Sequence, residues 1–421
     1  MKSLGFDKKK YSNEYHDETL KYLEKTSLNY RKSLGQYFTP KSIRDALIKK
    51  LPKDIKNPKI LDRACGTGEF LLSIKNFYEN PRLYGWDIDA NVLKIAEKIV
   101  PEAELSVKDS LLSEEYDQFD IVIGNPPYFE FKPTFEIRKK YRPIINGRIN
   151  IFSLFIYQGI KWLKNGGYLA YVVPPSMNNG AYYHKLRTLI VQTTNIEYLK
   201  ILDCPKLFND ALQSIMLLIL KKGNNKGDYI FKKNGIMIFS EHPDYLNNFF
   251  INKLTLSDLG FVIKTGRIVW NQNKHLLTNN SKEGIPLIWA HNIGFGEFIF
   301  PIHENKKKPQ YIKSKDFDIG PAIVVNRITG SVKSSILKAA VIPPGFKFFA
   351  ENHVNVIFPP DYKGQKNLNF IYNEFSIKVL NNIVKQLISK ENYTIIRNIT
   401  GNTQLSKNEL EKLFPIDPNS L

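Results

Sequence analysis

The chain has 421 residues, more than the roughly 250–300 at which a single hydrophobic core stops growing, so two domains are expected. Apolar residues make up 43% and charged residues 24%, a balance that excludes disorder over most of the length. The 60 Lys and Arg residues outnumber 41 acidic residues, and the net charge of +19 favours a nucleic acid as partner, with a Lys-rich, low-GC genome as the alternative explanation.

Other classes of site are excluded by what the sequence lacks. Two cysteines, Cys65 and Cys204, cannot build a disulfide framework, and the seven histidines show no metal-ligand spacing. We therefore predict no metal site and a location in a reducing bacterial or archaeal cytoplasm. Residues 1–14 are polar and Lys-rich, unlike a signal peptide. The apolar run Ile215–Leu220 is far shorter than the about 18 residues of a membrane span, so no membrane association is expected.

Residues 1–30 are predicted to form a polar helical arm, and residues 31–240 to form an α/β domain. In that domain short apolar strands alternate with amphipathic helices, which predicts a doubly wound, mostly parallel sheet with ligands at the carboxyl ends of its strands. The strands are predicted at residues 59–62, 83–86, 119–123 and 168–173, and the helices at residues 70–77, 90–99 and 151–163. Residues 198–202 and 214–221 are joined too closely for a crossover helix, so they should pair antiparallel.

The pattern changes after Lys222, where the cluster Gly223–Gly227 is typical of a linker. Residues 241–421 consist of short, mixed segments rich in Asn, Lys, Gly and aromatic residues, with no regular alternation of strands and helices. We predict a second domain of mixed α+β structure there, which ends in helices near residues 376–390 and 406–413.

The first strand of the α/β domain runs into a Gly-x-Gly turn at Gly66 and Gly68 and then into a helix. Glycines let the backbone approach a ligand closely, although such turns also serve as plain connections. The turn lacks the third glycine of the dinucleotide-binding fingerprint and the Lys-Ser/Thr pair of a P-loop. Asp62 lies inside the turn and disfavours a phosphate, so we predict a ligand that carries an amine or another cation.

Acidic residues follow the next two strands. Asp87 ends the second strand, where a carboxylate can bind the hydroxyls of a ribose, while Asp89 is the better candidate for a helix N-cap. Ile88 between them would offer an apolar face to an adenine ring. Asp109 falls at the end of a third strand, where it could accept a hydrogen bond from an adenine amine. Helix capping and plain turn formation are the alternatives for these acids.

The sharpest motif is Asn125-Pro126-Pro127-Tyr128, which directly follows a predicted buried strand. The two prolines fix their φ angles and hold Asn125 and Tyr128 in place. The Asn125 side-chain oxygen and the Pro126 carbonyl could both accept hydrogen bonds from a planar aromatic amine and localise its lone pair. Tyr128 would offer a stacking face for a base, worth roughly 1–3 kcal/mol. A plain turn after a strand is the alternative.

These motifs and their order resemble the γ-class, TaqI-like adenine-N6 DNA methyltransferases. The resemblance implies a seven-stranded methyltransferase sheet with an antiparallel last strand, followed by a DNA target-recognition domain over residues 241–421. It implies S-adenosylmethionine as cofactor, bound by Tyr37, Thr39, Asp62, Ala64, Gly66, Asp87, Ile88, Asp109, Ser110, Asn125, Pro127 and Phe155. It assigns catalytic roles to Asn125, Pro126, Tyr128 and Phe208, the last as the second ring against a flipped target base. The sequence departs from the family pattern at Arg63, where many relatives carry Pro, and at Glu69, where many carry a small or apolar residue.

The second domain offers candidates for DNA contacts, because Arg reads guanine, Asn reads adenine and Lys binds phosphates. A solvated surface position is the alternative for each of them. The candidates are Arg267, Trp270, Asn271, Lys306, Lys307, Lys308, Arg327 and Lys333.

We therefore expect a monomeric enzyme that binds double-stranded DNA between its domains, turns one adenine out of the stack and methylates its N6. A cognate restriction endonuclease is a possible partner, and an orphan regulatory enzyme fits equally. The alternatives are another planar amine, such as cytosine N4, a guanine N2 of ribosomal RNA or a protein glutamine, and a DNA-specificity protein without activity. A fused restriction–modification enzyme is disfavoured because residues 1–30 are too few for a nuclease domain.

Overall fold

A computed structural model of the chain describes residues 12–178, 180–202, 214–302, 308–327, 337–360, 374–392, 394–395 and 405–421. The chain forms two compact units. The first comprises Met1–Ile230 with Phe239–Glu241, and the second comprises Phe231–Ile238 with His242–Leu421.

The first unit is built on a seven-stranded sheet. The strands of the sheet are β1 (Lys59–Asp62), β2 (Arg82–Asp87), β3 (Glu104–Val107), β4 (Phe119–Gly124), β7 (Leu163–Val173), β8 (Thr194–Leu202) and β9 (Ile215–Lys222). Two further strands, β5 (Glu130–Phe131) and β6 (Ile149–Asn150), form a short hairpin outside the sheet. The strand order in the sheet is β3-β2-β1-β4-β7-β9-β8. Strand β9 runs antiparallel to β7 and β8, and the other neighbours pair parallel. The predicted doubly wound sheet with its antiparallel closing strand is confirmed.

Helices cover this sheet. They are α1 (Asp17–Lys25), α2 (Leu28–Ser33), α3 (Lys41–Ile48), α4 (Glu69–Lys75), α5 (Ala90–Ile99), α6 (Phe135–Lys140), α7 (Ile151–Trp162) and α8 (His184–Thr193), with 3-10 turns at Pro175–Asn178 and Ala181–Tyr183. Helix α5 forms where predicted, because Asp89 caps its first turn by accepting the N–H of Asn91 at 2.9 Å. Helix α7 is apolar on nearly every side and is buried along its length, as expected for such a helix.

The parallel strands end at a common level, which positions the functional residues. Asp62, the last residue of β1, pairs with Gly85 of β2 on one side and with Ile123 of β4 on the other. Asp87, two residues beyond Gly85, ends β2. The side chains that follow β1, β2 and β4 are therefore gathered along one edge of the sheet, where ligands bind in this class of fold.

Two strands begin well before their predicted starts, and β8 does so at Thr194 rather than at Tyr198. Strand β7 begins at Leu163, immediately after α7, rather than at Tyr168. Its pairing with β4 is irregular, since Phe119 pairs with Leu163 and Ile121 with Tyr168. Strand β7 therefore has extra residues opposite β4 at this point. The two backbones approach closely there, since an ideal Cβ on Gly167 would stand only 3.0 Å from the Asp120 carbonyl. The Gly166-Gly167 pair thus marks a bulge inside a strand, not a gap before one.

The described part of the predicted arm packs on the first unit. The Thr19 hydroxyl of α1 lies 2.8 Å from the Thr67 hydroxyl in the Gly-x-Gly turn, and both residues are buried. The His16 N–H donates to Glu69 Oε1 at 2.8 Å, while Glu69 Oε2 lies 2.7 Å from Arg44 Nη2. Glu69, a departure from the family pattern, is therefore one half of a buried ion pair that joins the arm to α3 and α4.

The second unit has a mixed α+β structure. Its helices are α9 (Pro243–Phe249), α10 (Glu374–Leu387) and α11 (Lys407–Leu413). A hairpin of β10 (Ile230–Lys233) and β11 (Ile236–Phe239) precedes its other strands. These are β12 (Val262–Thr265), β13 (Leu277–Thr278), β14 (Ile285–Ile288), β15 (Tyr311–Ile312), β16 (Asp318–Ile319), β17 (Ala322–Asn326), β18 (Ala339–Ile342), β19 (Lys347–Ala350) and β20 (Val354–Phe358). They form a four-stranded sheet, β12-β20-β17-β18, and a five-stranded sheet, β13-β15-β14-β19-β16. Alternate residues of β17 face different cores: Ile323 packs with Leu380 and Ile383 of α10, whereas Val324 packs with Phe348 of β19.

We predict that Arg44→Met will destabilise the protein by about 3–5 kcal/mol, because it leaves the buried Glu69 carboxylate without its partner. Lys41→Met is the matched control, since it breaks the exposed ion pair of Lys41 with Asp45 on the same helix and should cost about 0.5 kcal/mol or less. Urea unfolding followed by circular dichroism measures both changes. Equal losses in the two variants would contradict a structural role for the buried pair.

Candidate active site

A cavity of about 290 Å³ opens at the carboxyl ends of the parallel strands. Its size is near the lower end of the range for small-molecule sites. Every residue predicted to bind the cofactor lines it: Tyr37, Thr39, Asp62, Ala64, Gly66, Asp87, Ile88, Asp109, Ser110, Asn125, Pro127 and Phe155. The fold therefore brings these residues, which span more than a hundred positions of the sequence, around one space.

The Gly-x-Gly turn forms the floor beside Asp62. Gly66 and Gly68 have φ angles of +53° and +86°, a region that favours glycine. Asp62 is only 2% exposed, and its Oδ1 accepts the N–H of Ala64 at 3.1 Å. Burial raises the pKa of the Asp62 carboxyl to about 8, and the nearby Asp87 acts in the same direction. A cationic group placed against this carboxyl would restore its charged form.

Gly124 makes room for that carboxyl. Its φ is +145°, and an ideal Cβ at this position would stand 2.6 Å from Asp62 Oδ1. Any larger residue at the end of β4 would displace Asp62 or the loop that follows. The glycine before Asn125 is therefore required by the neighbouring strand, not only by the turn.

Asp87 and Asp89 have different hydrogen-bond partners. Asp87 Oδ2 accepts the N–H of Gly66 and its Oδ1 accepts the N–H of Asp89, both at 2.9 Å, which orients the carboxylate at the cavity wall. Asp89 caps α5, and its other oxygen accepts the Gln36 amide at 3.0 Å. Between them, Ile88 is 67% exposed, so an apolar side chain is presented to whatever occupies the cavity.

Arg63 ties together three segments of the cavity wall. Its guanidinium donates to the carbonyls of Phe155 at 2.9 Å and Ser110 at 2.8 Å, while the Ser110 hydroxyl donates back to the Arg63 carbonyl at 2.7 Å. The same guanidinium lies 4.0 Å from the centre of the Trp162 ring, and the side chain is buried. In the sequence, Arg63 is marked only as a departure from the family pattern. Asp109, beside this cluster, is exposed, and its Oδ1 accepts the N–H of Leu111 at 2.9 Å.

The Asn-Pro-Pro-Tyr loop follows β4 at the edge of the cavity. Asn125 Nδ2 donates to the Tyr37 carbonyl at 3.0 Å, which orients the amide. The Tyr128 hydroxyl lies within hydrogen-bonding distance of Asn125 Oδ1 and 2.6 Å from the Val172 carbonyl. Burial raises the pKa of Tyr128 well above its ordinary value, so its hydroxyl remains a donor. The loop is therefore fixed before any ligand arrives, with the amide oxygen of Asn125 turned towards Tyr128.

The surroundings of this loop include residues that the sequence did not single out. The ring of Phe152 packs edge-on to Tyr128, with centroids 6.2 Å apart, and Tyr183 packs on Phe152 at 5.2 Å. Phe129 and Ile151 line the cavity. No motif marks these residues, although Phe129 directly follows the Asn-Pro-Pro-Tyr loop in sequence. Pro126 is buried in the loop, and Phe208 lies outside the described residues.

The candidate DNA-contacting residues of the second unit have varied surroundings. Arg267 is paired with Asp316 at 2.6 Å, and Arg327 Nη1 donates to the Asn352 carbonyl at 3.3 Å. Trp270 is 38% exposed, Asn271 is exposed, and Lys308 lies 5.3 Å from the centre of the Trp289 ring. Lys306, Lys307 and Lys333 lie outside the described residues.

Two absences apply to the described residues alone. Among them, no group of three or more His, Cys, Asp or Glu side chains is arranged to hold a metal ion. No helix in the same part of the chain has the length and apolar character needed to cross a membrane.

Residues 19–273, more than half of the chain, match the family model of N-6 DNA Methylase. The chain is 27% identical over 299 residues to the type II methyltransferase M.CvrRI of Paramecium bursaria Chlorella virus XZ-6E, a match covering 70% of this chain and 77% of that protein. It is also 27% identical over 345 residues to the modification methylase CviBIII of Paramecium bursaria Chlorella virus NC1A, covering 80% and 86%. A solved methyltransferase subunit of a type I restriction–modification system from Streptococcus thermophilus is 18% identical, with a TM-score of 0.41 over 55% of each chain.

We predict that binding of S-adenosylmethionine will release a proton from Asp62. The carboxyl is neutral below its pKa of about 8, and the ammonium group of the ligand would stabilise the carboxylate and lower that pKa. Affinity should therefore rise with pH, by up to about tenfold per unit, as the pH approaches 8, and fall again where the ligand amine itself loses its proton.

Isothermal titration calorimetry at pH 5.5–7.5, in buffers of different ionisation enthalpy, measures both the affinity and the protons released. The control is Asp62→Asn, which should bind more weakly and with an affinity that changes little over this range. Equal proton release by the variant and the unmodified protein would contradict the assignment to Asp62.

Proposed function

Because the chain belongs to the N-6 DNA methylase family, we propose that it transfers the methyl group of S-adenosylmethionine to N6 of an adenine flipped out of double-stranded DNA. The chain is a DNA methyltransferase of the restriction–modification type, and S-adenosylmethionine is its cofactor. The observation that carries the choice of a planar amine as acceptor is the preorganised amide oxygen of Asn125 at the rim of the cavity.

The cavity suits this cofactor. Asp62 is a buried carboxyl whose raised pKa reflects burial that a cationic partner would offset, and Ile88 is an exposed apolar side chain that a ring could cover. We assign the cofactor's ammonium group to Asp62, its ribose hydroxyls to Asp87 and its adenine ring to the space between Ile88 and Phe155. When bound, S-adenosylmethionine supplies an electrophilic methyl group on its sulfonium sulfur.

The protein's part in catalysis is to hold the acceptor amine. The lone pair of an exocyclic amine is delocalised into the base, so the amine is a poor nucleophile. Asn125 Oδ1 and the Pro126 carbonyl would accept its two N–H bonds and favour a nitrogen with a localised lone pair. The one proton of the Tyr128 hydroxyl is shared between Asn125 Oδ1 and the Val172 carbonyl. Because a carbonyl oxygen has two acceptor sites, Asn125 Oδ1 can also accept the amine. Preorganised acceptors of this kind need no rearrangement when the reaction occurs.

Tyr128 would stack on the flipped base. Its hydroxyl is anchored to the Val172 carbonyl and its edge is packed on Phe152, so the ring cannot swing away from the loop. Phe208 is the proposed ring for the opposite face of the base. The choice of adenine rests on the Asn that precedes Pro-Pro-Tyr, which resembles adenine enzymes more than enzymes that act on cytosine N4.

The second unit is the proposed target-recognition domain, and we propose that the protein acts on DNA as a monomer. The relatives of this chain include a type II methyltransferase and a modification methylase, so a cognate restriction endonuclease is the expected biological counterpart. Methylation by this chain would then protect the sites that such an endonuclease cuts.

We predict that Asn125→Ala will lower the rate of methyl transfer by about 10²–10³-fold, the usual loss when one preorganised hydrogen-bonding group is removed from a transition state. Cofactor affinity should change far less, because Asp62 and Asp87 remain. Transfer of labelled methyl groups to DNA measures the rate, and calorimetry measures cofactor binding. The matched control is Asn91→Ala on the exposed side of α5, which should leave both unchanged.

The modified base decides the acceptor. DNA from a methylation-free host that expresses the chain should contain N6-methyladenine at one recurring sequence, detected by mass spectrometry of nucleosides and by single-molecule sequencing. N4-methylcytosine instead would overturn the choice of adenine. Full activity of Asn125→Ala would overturn the proposed role of the amide.

A further inference from the structure

Residues 129–150, here called the 129–150 excursion, leave the fold directly after Tyr128 and return directly before α7. Their base is a short hairpin in which Phe131 pairs with Ile149, and the Ile151 N–H donates to the Phe129 carbonyl at 3.0 Å. Phe129, Phe131 and Ile151 line the cavity. The excursion is therefore rooted in the wall of the active site, although the proposed chemistry uses none of it.

The excursion is firmly attached to the first unit. Ile137, Tyr141 and Ile144 are buried, and the Tyr141 hydroxyl donates to the Leu111 carbonyl at 2.9 Å. Lys140 Nζ donates to the Ser113 carbonyl at 3.0 Å. Helix α6 and the turn after it are thus held against the segment that follows β3, and the outward side of the helix has a defined position.

One large apolar side chain of the excursion points outward. Phe135, the first residue of α6, is 84% exposed, whereas Ile137 two positions later is buried. The preceding Thr134 caps the helix by accepting the Ile137 N–H, so the position of Phe135 is set by a formed helix end. The other large apolar side chains of the excursion are buried or partly buried, so the exposed ring of Phe135 is available for a contact outside the chain.

The same surface is strongly basic. Its exposed cations are Lys132, Arg138, Lys139, Arg142 and Arg148, against the acids Glu130 and Glu136. Among the described residues, Arg138, Lys139 and Arg142 form no ion pair, and Arg148 lies 4.0 Å from Glu130. Free guanidinium and ammonium groups of one sign are typical of a surface that meets phosphates.

A second exposed aromatic lies beside the excursion. An ideal Cβ on Gly147 would stand 2.8 Å from the ring of Tyr182, so the ring rests on the excursion's backbone. Tyr182 is 48% exposed. Its neighbour Tyr183 packs on Phe152, which packs on Tyr128. The segment that rests on the excursion is therefore connected through Tyr183 and Phe152 to Tyr128.

We propose that the 129–150 excursion is a DNA-binding surface of the methyltransferase unit, with its cations on phosphates next to the target and Phe135 against a nucleobase. This inference rests on the proposed function and adds a contact region to the candidates in the second unit. Cations interleaved with exposed rings suit nucleic acid, because every base has a stacking face and every nucleotide a phosphate. Protein interfaces, in contrast, are depleted in lysine and in charge at their centres.

The cation contacts are tested with the double variant Arg138→Gln/Lys139→Gln in the full chain. Binding to a fluorescent duplex is measured by anisotropy at several salt concentrations, without turnover. The slope of log affinity against log salt should become shallower by about 1.8, since each lost phosphate contact removes about 0.9. The control, Lys49→Gln/Lys56→Gln, removes two exposed charges from the connection between α3 and β1, outside the cavity lining and the excursion, and should leave the slope unchanged.

The ring contact is tested with Phe135→Ala. Duplex affinity should fall by about tenfold with the salt slope unchanged, because a stacking contact releases no counterions. Phe135→Trp should retain the affinity, which separates loss of a ring from loss of folding. Cofactor affinity should be the same in all four variants.

An unchanged salt slope in the double variant, or an unchanged duplex affinity in Phe135→Ala, would overturn the proposal, and the surface would then be a candidate for a protein partner. Because duplex binding is measured without turnover, failure of the proposed function is recognised separately. If the protein without substitutions binds DNA through this surface but leaves adenine unmethylated, the proposed reaction is refuted and the proposed DNA-binding surface is supported.

Discussion

The structure depends on the common level at which β1, β2 and β4 end. That register places the buried Asp62 carboxyl beside Asp87 and in front of Gly124. Burial makes the charged form of Asp62 costly in the free protein, so the site carries an unfavourable electrostatic environment that a cationic ligand relieves. Gly124 leaves room for the Asp62 carboxyl, because a side chain at position 124 would occupy the space of the carboxyl oxygen. The Asp62 carboxyl and the start of the Asn-Pro-Pro-Tyr loop are thus packed against each other at two neighbouring strand ends.

Local signals in the sequence are sufficient to predict much of the structure at the carboxyl ends of these strands. A strand that runs into Gly66 and Gly68, and an Asp that starts a helix, are set by backbone conformation and capping, which depend on nearby residues. The doubly wound sheet followed from the alternation of apolar strands and helices. The start of β7 did not, because Gly166 and Gly167 form a bulge only when β4 lies beside them. A glycine pair in an isolated sequence has the same appearance in a turn and in a bulge.

Long-range partners explain what sequence reasoning missed. The sequence shows Arg63 only as a departure from a pattern, because its hydrogen-bond partners are distant along the chain. They are the carbonyls of Ser110, 47 positions away, and Phe155, 92 positions away. Glu69 is similar, since its partner Arg44 lies on another helix and the N–H it accepts belongs to His16 in the arm. Buried charges of this kind need a complete set of partners, and no local spacing announces them. Arg63 and Glu69 therefore depart from the family pattern at positions where they form buried polar contacts around the cavity.

The hydrogen bond between Asn125 and the Tyr37 carbonyl connects the two halves of the proposed reaction. Tyr37 belongs to a segment that lines the cavity proposed for the cofactor, whereas Asn125 belongs to the loop that would hold the acceptor amine. Gly35, with a φ of +67°, lets that segment approach Pro127 so closely that an ideal Cβ would stand 2.7 Å from the proline Cβ. The Asn125 amide is therefore already held by the segment that a cofactor in this cavity would contact. Donor and acceptor sites then share one rigid wall, and alignment of their reacting atoms becomes a property of the fold rather than of either ligand.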